Sequence, residues 1–439
     1  MGEMSDTLSR KDRMKKTAVI HLRMESNKSL REIVDDFPGK LDGMRYFYDK
    51  LKLYSDSSGF NTEGKKVIAT MCIHVPVELI YAAGAIPVRI CSGAYATDTI
   101  GAEFLPAKTC PLIKSTLGLL YANTFARNIR PDLIINPTTC DQKKKLPEVA
   151  EDIDTEFYTL EVPPTKDSEE ARFYWQGAVK KLVLKLEAVT GQRITRSKLR
   201  KSIKMVAEAQ NQFRRFNENR KNLPVIGGKD AILISNTFFF DDIITWTAAL
   251  SLLNDEMDER INAGDTIAAE RAPRILLTGS PSIFPNMKLP VLIEKLGGVV
   301  VTEEFCSTTR LLYDTVAVDE WYLYDMIPAI ADRYLKPGTC PNFTPNSDRF
   351  RKLLDNVRQF KVDGVIYQAF AGCQLYELES RKTGRLLSDE GIPMLYIETD
   401  YSPEDAGQLS TRIEAFLESI KLKKQKNRPE AENVLLRGN

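Results

Sequence analysis

From Lys65 onward, short runs of β-branched and aliphatic residues alternate with stretches of helical period, and this alternation fixes the fold class before any other feature is considered. KKVIATMC is followed by a helix expected from about Pro76 to Ala83, then by AIPVRIC, PDLIINPTTC and TEFYTLEVP. Strand, helix and strand repeated in this way imply a parallel, doubly wound sheet. The pattern restarts at Pro273 with RILLTGSP, a helix through KLPVLIEKLG, GGVVVTEEFC, further helices, VDGVIYQAFAGC, GIPMLYIETD and a C-terminal helix through TRIEAFLESI. The expected fold is therefore α/β, with two doubly wound parallel-sheet domains of Rossmann or flavodoxin-like type at residues 65–165 and 273–420. Between them, residues 166–272 have helical period, with charges three and four apart in SKLRKSIKMVAEAQNQFRRFNENRK, and read as a helical bridge. Residues 1–64 read as a polar helical lead-in and 421–439 as a polar, frayed tail. Two or three domains also suit 439 residues, more than one compact core usually holds.

Seven cysteines are distributed over this pattern, and five close expected strands: Cys72 after VIATM, Cys91 after IPVRI, Cys140 after LIINPTT, Cys306 after VVVTEEF and Cys373 after VIYQAFAG. Open parallel sheets hold ligands and cofactors at the carboxyl ends of their strands, so these positions are where a shared site would form. Cys110 and Cys340 each sit in Thr-Cys-Pro, where the proline suits the first turn of a helix and the thiolate would face its positive end. Buried cysteine often acts as a small hydrophobe, but core cysteines would be scattered through strand middles and helix faces rather than gathered at strand exits. All-thiolate sites favour zinc or iron–sulfur clusters. The chain has no Cys-x-x-Cys pair of the kind that structural zinc sites use, and only His21 and His74 as imidazoles. Single ligands drawn from distant loops suit a large cluster held between two domains.

The charge balance, 61 Lys+Arg against 60 Asp+Glu, creates no field to recruit nucleic acid or an anionic membrane. The polar N-terminus lacks the apolar core of a secretory signal, and no run approaches the roughly 18 apolar residues of a membrane span. A cytoplasmic location is expected, where cysteines remain thiols available to metals. There is no G-x-x-x-x-G-K-[ST] loop and no G-x-G-x-x-G after a strand, so nucleotide binding by this chain is not expected. With His74 alone near the strand exits, a Ser-His-Asp or Cys-His nucleophile is hard to assemble.

The stretches CIHVPVELIYAAGAIPVR, TCPLIKSTLG, TTCDQKKKL, RILLTGSP, EEFC, FAGCQLYELE and GIPMLYIETDYS together resemble the iron–sulfur subunits of the 2-hydroxyacyl-CoA dehydratase and benzoyl-CoA reductase family. The resemblance runs from Cys72 to Ile420. It implies one 4Fe-4S cluster per subunit on three cysteines, which look like Cys110, Cys140 and Cys373. The additional Cys91 and Cys340, beside the more widely shared Cys72 and Cys306, are similar to the double-cubane cluster proteins, in which six thiolates hold an 8Fe-9S cluster. The second cubane would then draw three ligands from Cys72, Cys91, Cys306 and Cys340, with Cys91, Cys306 and Cys340 the first choice and one cysteine of the seven spare.

The resemblance further implies an oxygen-sensitive, homodimeric oxidoreductase. It would take low-potential electrons from a separate ATP-hydrolysing activator with its own iron–sulfur cluster and reduce a small substrate. The alternatives are a subunit of an (R)-2-hydroxyacyl-CoA dehydratase with a single 4Fe-4S cluster, and a non-catalytic electron carrier. Asp141 and Lys143 to Lys145 are candidates to offset cluster charge, Glu78 to orient the Cys72 loop, and Lys114 and Ser115 to support Cys110.

Overall fold

The computed structural model describes residues 10–426 apart from 36, 38, 53–61, 123–129, 152, 270 and 313. Two helices, α1 (Arg10–Asp35) and α2 (Met44–Lys52), precede the first sheet, which is built from β1 (Val67–Thr70), β2 (Ile86–Arg89), β3 (Leu133–Pro137) and β4 (Phe157–Leu160). These strands pair in the order β2-β1-β3-β4, all parallel. Helices α3 (Val77–Ala82), α4 (Tyr95–Gly101), α5 (Pro111–Ala122) and α6 (Asp141–Val149) make the connections. The second sheet repeats the topology with β5 (Arg274–Gly279), β6 (Val299–Glu304), β7 (Gly364–Phe370) and β8 (Met394–Thr399) in the order β6-β5-β7-β8. The central strands β1, β3 and β7 are buried on both faces, which is why they read as continuous apolar runs rather than alternating ones.

Between the sheets lie α7 (Glu169–Thr190), α8 (Arg196–Asn219), α9 (Gly228–Thr237) and α10 (Ile243–Ala263). Their ends are set by local chemistry. The Ser168 hydroxyl accepts the Ala171 N–H, Thr195 that of Lys198, and Asp242 those of Ile244 and Thr245, while Gly191 and Gly264 close α7 and α10 in left-handed conformations. The α8 helix packs on α3 and α10, and its terminal Arg220 forms a buried two-pronged ion pair with Glu303 of β6, at 2.9 and 2.6 Å. It thus contacts both halves of the molecule. The largest apolar cluster is likewise shared, taking in Val67 and Ala69 of β1, Ile134 of β3, Ile275 and Leu277 of β5 and Ile366 of β7.

The second half is completed by α11 (Lys288–Lys295), the single turn α12 (Thr309–Leu312), α13 (Leu323–Leu335), α14 (Ser347–Gln359), α15 (Gln374–Asp389) and α16 (Ala406–Lys426). Helix α16 runs six residues into the stretch read as a frayed tail, and residues 427–439 of that stretch lie outside the described residues. No described helix is long and apolar enough to cross a membrane.

In each sheet the chain leaves its first strand in one direction and returns to pair on the other side, placing a crevice at the carboxyl ends of β1 and β3 and another at those of β5 and β7. The two sheets meet there closely. A Cβ on Gly93, just beyond β2, would stand 1.7 Å from the Ile283 carbonyl oxygen just beyond β5, so only glycine fits.

Candidate functional site

Three cysteines stand at helix N-termini around one point. Cys110 immediately precedes Pro111 of α5, Cys140 is the N-cap of α6 and Cys373 is the N-cap of α15. Their loops are joined by a single side chain: Gln142 Oε1 accepts the Cys110 N–H at 2.9 Å, and Gln142 Nε2 donates to the Gly372 carbonyl at 3.0 Å. Gly372 is left-handed at φ 81°, and a Cβ there would meet the Lys108 carbonyl oxygen at 2.1 Å. The loop before Cys110 thus lies directly on the loop before Cys373. The Cys110 thiol donates to the Cys373 sulfur, and this bond, with the Tyr376 N–H and Ser280 hydroxyl, outweighs burial to pull Cys373 down to about 7. Cys110, as the donor, is pushed well above the ordinary thiol range.

Cys72, Cys91 and Cys306 follow β1, β2 and β6 and surround a second point, occupied by Arg89 of β2. Arg89 Nε lies 3.4 Å from the Cys91 sulfur, Nη2 lies 3.6 Å from the Cys306 sulfur, and Nη1 donates to the Cys306 carbonyl at 2.7 Å. Cys72 is one of three described non-glycine residues with positive φ, at 72°. The Cys72 N–H faces the Cys91 sulfur and the Ile73 N–H faces that of Cys72, a concave pair of donors suited to anions.

A second buried cation links the two groups. Lys143 of α6 donates to Thr139 Oγ1 at 3.1 Å, Thr139 donates to the Cys72 sulfur at 3.7 Å, and the Lys143 N–H faces the Cys140 sulfur. Burial alone would lower the pKa of Lys143, but the cysteines Cys72, Cys140, Cys91 and Cys306 raise it well above the ordinary value, so it stays charged. The fields are reciprocal. Burial raises Cys72 and Cys91, yet Lys143 and Arg89 bring both below the ordinary thiol value. For Cys140 and Cys306 burial prevails and the shift is upward.

Cys340 joins from the opposite wall. Burial and the neighbouring Cys72 push its thiol up to about 12. Contrary to the expectation of a helix start, Cys340 and Pro341 open a turn: Phe343 N–H donates to the Cys340 carbonyl at 3.2 Å, Asn346 Nδ2 donates to it at 2.7 Å, and α14 begins only at Ser347. Pro345 is responsible, since it disfavours helical conformation at Thr344. Buried Lys166 holds the approach to this turn by donating to the Lys336 and Gly338 carbonyls.

All seven cysteines therefore lie about the facing strand ends. Among the described residues no three His, Cys, Asp or Glu side chains gather at the spacing of a single metal ion.

The other sequence candidates divide. Lys143 is buried at the site, whereas Asp141, Lys144 and Lys145 are solvent-facing, the lysines pairing with Asp141 and Glu148. Glu78 Oε2 accepts the Tyr334 hydroxyl at 2.8 Å, and the Tyr334 carbonyl in turn receives His74 Nδ1–H at 3.0 Å in the loop after Cys72. Lys114 pairs with Asp98, and Ser115 bonds Thr97 and the Ala94 carbonyl, so both join α5 to α4. His21 lies exposed on α1. Arg89 and Gln142 were not singled out by sequence. The signal for Arg89 is a charge inside the otherwise apolar run AIPVRIC; Gln142 carries none.

A profile of the family described as 2-hydroxyglutaryl-CoA dehydratase, D-component, matches residues 72–420, beginning at the first of the seven cysteines. The chain belongs to this family. Within it, a candidate dehydratase subunit of Escherichia coli (strain K12), YjiM, is 31% identical over 81% of this chain and 92% of its own length. One of the subunits of the benzoyl-CoA reductase of Thauera aromatica is 26% identical, covering 82% of this chain and 92% of that protein. The beta subunit of (R)-2-hydroxyglutaryl-CoA dehydratase from Acidaminococcus fermentans is 23% identical, covering 82% and 94%. The dehydratase D-component family thus includes subunits of dehydratases and of a reductase, and this chain is a member of an enzyme family.

Proposed function

We propose that this protein is an iron–sulfur oxidoreductase whose cysteines hold a double-cubane cluster, and that it reduces a small substrate with low-potential electrons from a separate ATP-hydrolysing activator. One observation carries the reading: seven thiols, more than the three one cubane needs, gather at the facing strand ends with the buried cations Arg89 and Lys143 among them. Cys110, Cys140 and Cys373 would hold one cubane, and three of Cys72, Cys91, Cys306 and Cys340 the other. The donor set fits such a group. It is all thiol, and backbone N–H groups face the sulfurs of Cys72, Cys91, Cys110, Cys140, Cys340 and Cys373. When bound, the cluster would supply electron storage at low potential. Arg89 and Lys143 would offset its negative charge and raise its potential, while Gln142 keeps the three loops of the first set in register. The protein would act as a homodimer in the cytoplasm under anaerobic conditions.

Turnover separates this reading from a non-catalytic carrier: with an activator ATPase and ATP, substrate reduction is expected, and its complete absence across small reducible substrates would favour the carrier. The names of the relatives favour a second reading, a dehydratase subunit with one 4Fe-4S cluster on Cys110, Cys140 and Cys373. Iron content in a Cys91→Ser variant distinguishes them: it falls under the first reading and is unchanged under the second.

A further inference from the structure

A cavity of about 260 Å³ opens beside the second group of cysteines, and chain neighbours of three of them form its inner wall: Ile73 and His74 after Cys72, Glu304 before Cys306, and Thr339 before Cys340. Two of its lining residues carry buried polar atoms with no hydrogen-bond partner, His74 Nε2 and Thr302 Oγ1, and each residue is 1% exposed. A carbonyl only accepts, so the contact with the Tyr334 carbonyl fixes the proton on His74 Nδ1 and leaves Nε2 as an acceptor.

Five basic and four acidic side chains line the cavity. Most are already paired: Arg310 with Glu304, Lys221 with Glu218, Lys352 with Asp314, and Arg351 with Asp348 outside the cavity. Asp355 is flanked one helical turn back by Arg351 and Lys352. Arg333 differs. Its Nε and Nη2 donate only to the carbonyls of Asp314 and Leu311, at 2.8 and 2.9 Å, and among the described residues it has no carboxylate partner.

We propose that this cavity binds a small carboxylate carrying an O–H or N–H donor, with its carboxylate on Arg333 and its donor directed to His74 Nε2 or Thr302. The volume suits a small molecule rather than a drug-sized one. The inference deepens the oxidoreductase reading by naming the substrate class, and rests on that reading for the reaction but not for the binding.

Calorimetric titration of the anaerobically purified protein with glycolate, lactate and glycine tests it, with iron measured on the same sample. Saturable binding is expected for at least one probe. Arg333→Gln should weaken it by about tenfold or more, the factor of one charge-assisted contact, and Arg333→Lys should restore part. Thr302→Val removes a hydroxyl without a partner, so it should weaken binding severalfold at an unchanged unfolding midpoint. No binding by an iron-loaded protein, or an affinity in Arg333→Gln unchanged from the parent, overturns the carboxylate site alone. Binding by a chain that holds no iron would keep the site and remove the oxidoreductase reading.

Discussion

Arg89 is the residue on which the second group of thiols turns. Its guanidinium is buried over the Phe239 ring, reaches two sulfurs and is fixed by the Cys306 carbonyl. A unit charge about 5 Å away at an effective dielectric near 20 contributes roughly 3 kcal/mol. Arg89→Gln should therefore lower the midpoint potential of the bound cluster on the order of 100 mV by that estimate. Anaerobic redox titration reads this directly, and an unchanged potential would remove Arg89 from the tuning of the cluster. The Cys110–Cys373 bond gives a pH signature in the metal-free chain. Thiolate at Cys373 forms as pH rises through about 7, so its alkylation should accelerate across that point. In Cys110→Ala the donated bond is gone and the half-point should move up toward the ordinary thiol range. Peptide mass spectrometry of alkylation against pH checks both.

Among the elements, the strand exits were legible in the sequence and the contacts across them were not. Central parallel strands are buried on both faces, so VIAT, LIINP and GVIYQAF announce themselves as apolar runs, and the cysteines that follow them take their place automatically. Cys110 and Cys340 share the tripeptide Thr-Cys-Pro yet differ in outcome. PLIKSTLGLLYA after Cys110 sustains a helix, whereas PNFTPNSD after Cys340 brings a second proline within five residues. Arg89 and Gln142 escaped because their partners come from other loops, including ones more than 200 residues away. A separation of 83 residues likewise hides the Arg220–Glu303 pair that ties α8 to β6. Arg220→Met leaves Glu303 buried without its cation and should cost about 3–5 kcal/mol, seen as a lower denaturant midpoint. A shift under about 1 kcal/mol would show the pair to be dispensable.

For the whole molecule, the function reading depends on two similarly wound sheets bringing their carboxyl ends face to face. Gly93 marks how closely they approach, and Gly93→Ala should separate the halves enough to reduce metal retention while leaving helix content by circular dichroism near the parent value. Retained metal in a folded Gly93→Ala protein would mean that the site tolerates a wider gap. The central claim is that the thiols hold one large cluster. Iron and acid-labile sulfide per chain, measured on protein purified without oxygen, test it most directly: about eight irons and about nine sulfides are expected, whereas four of each, zinc, or no metal would contradict it.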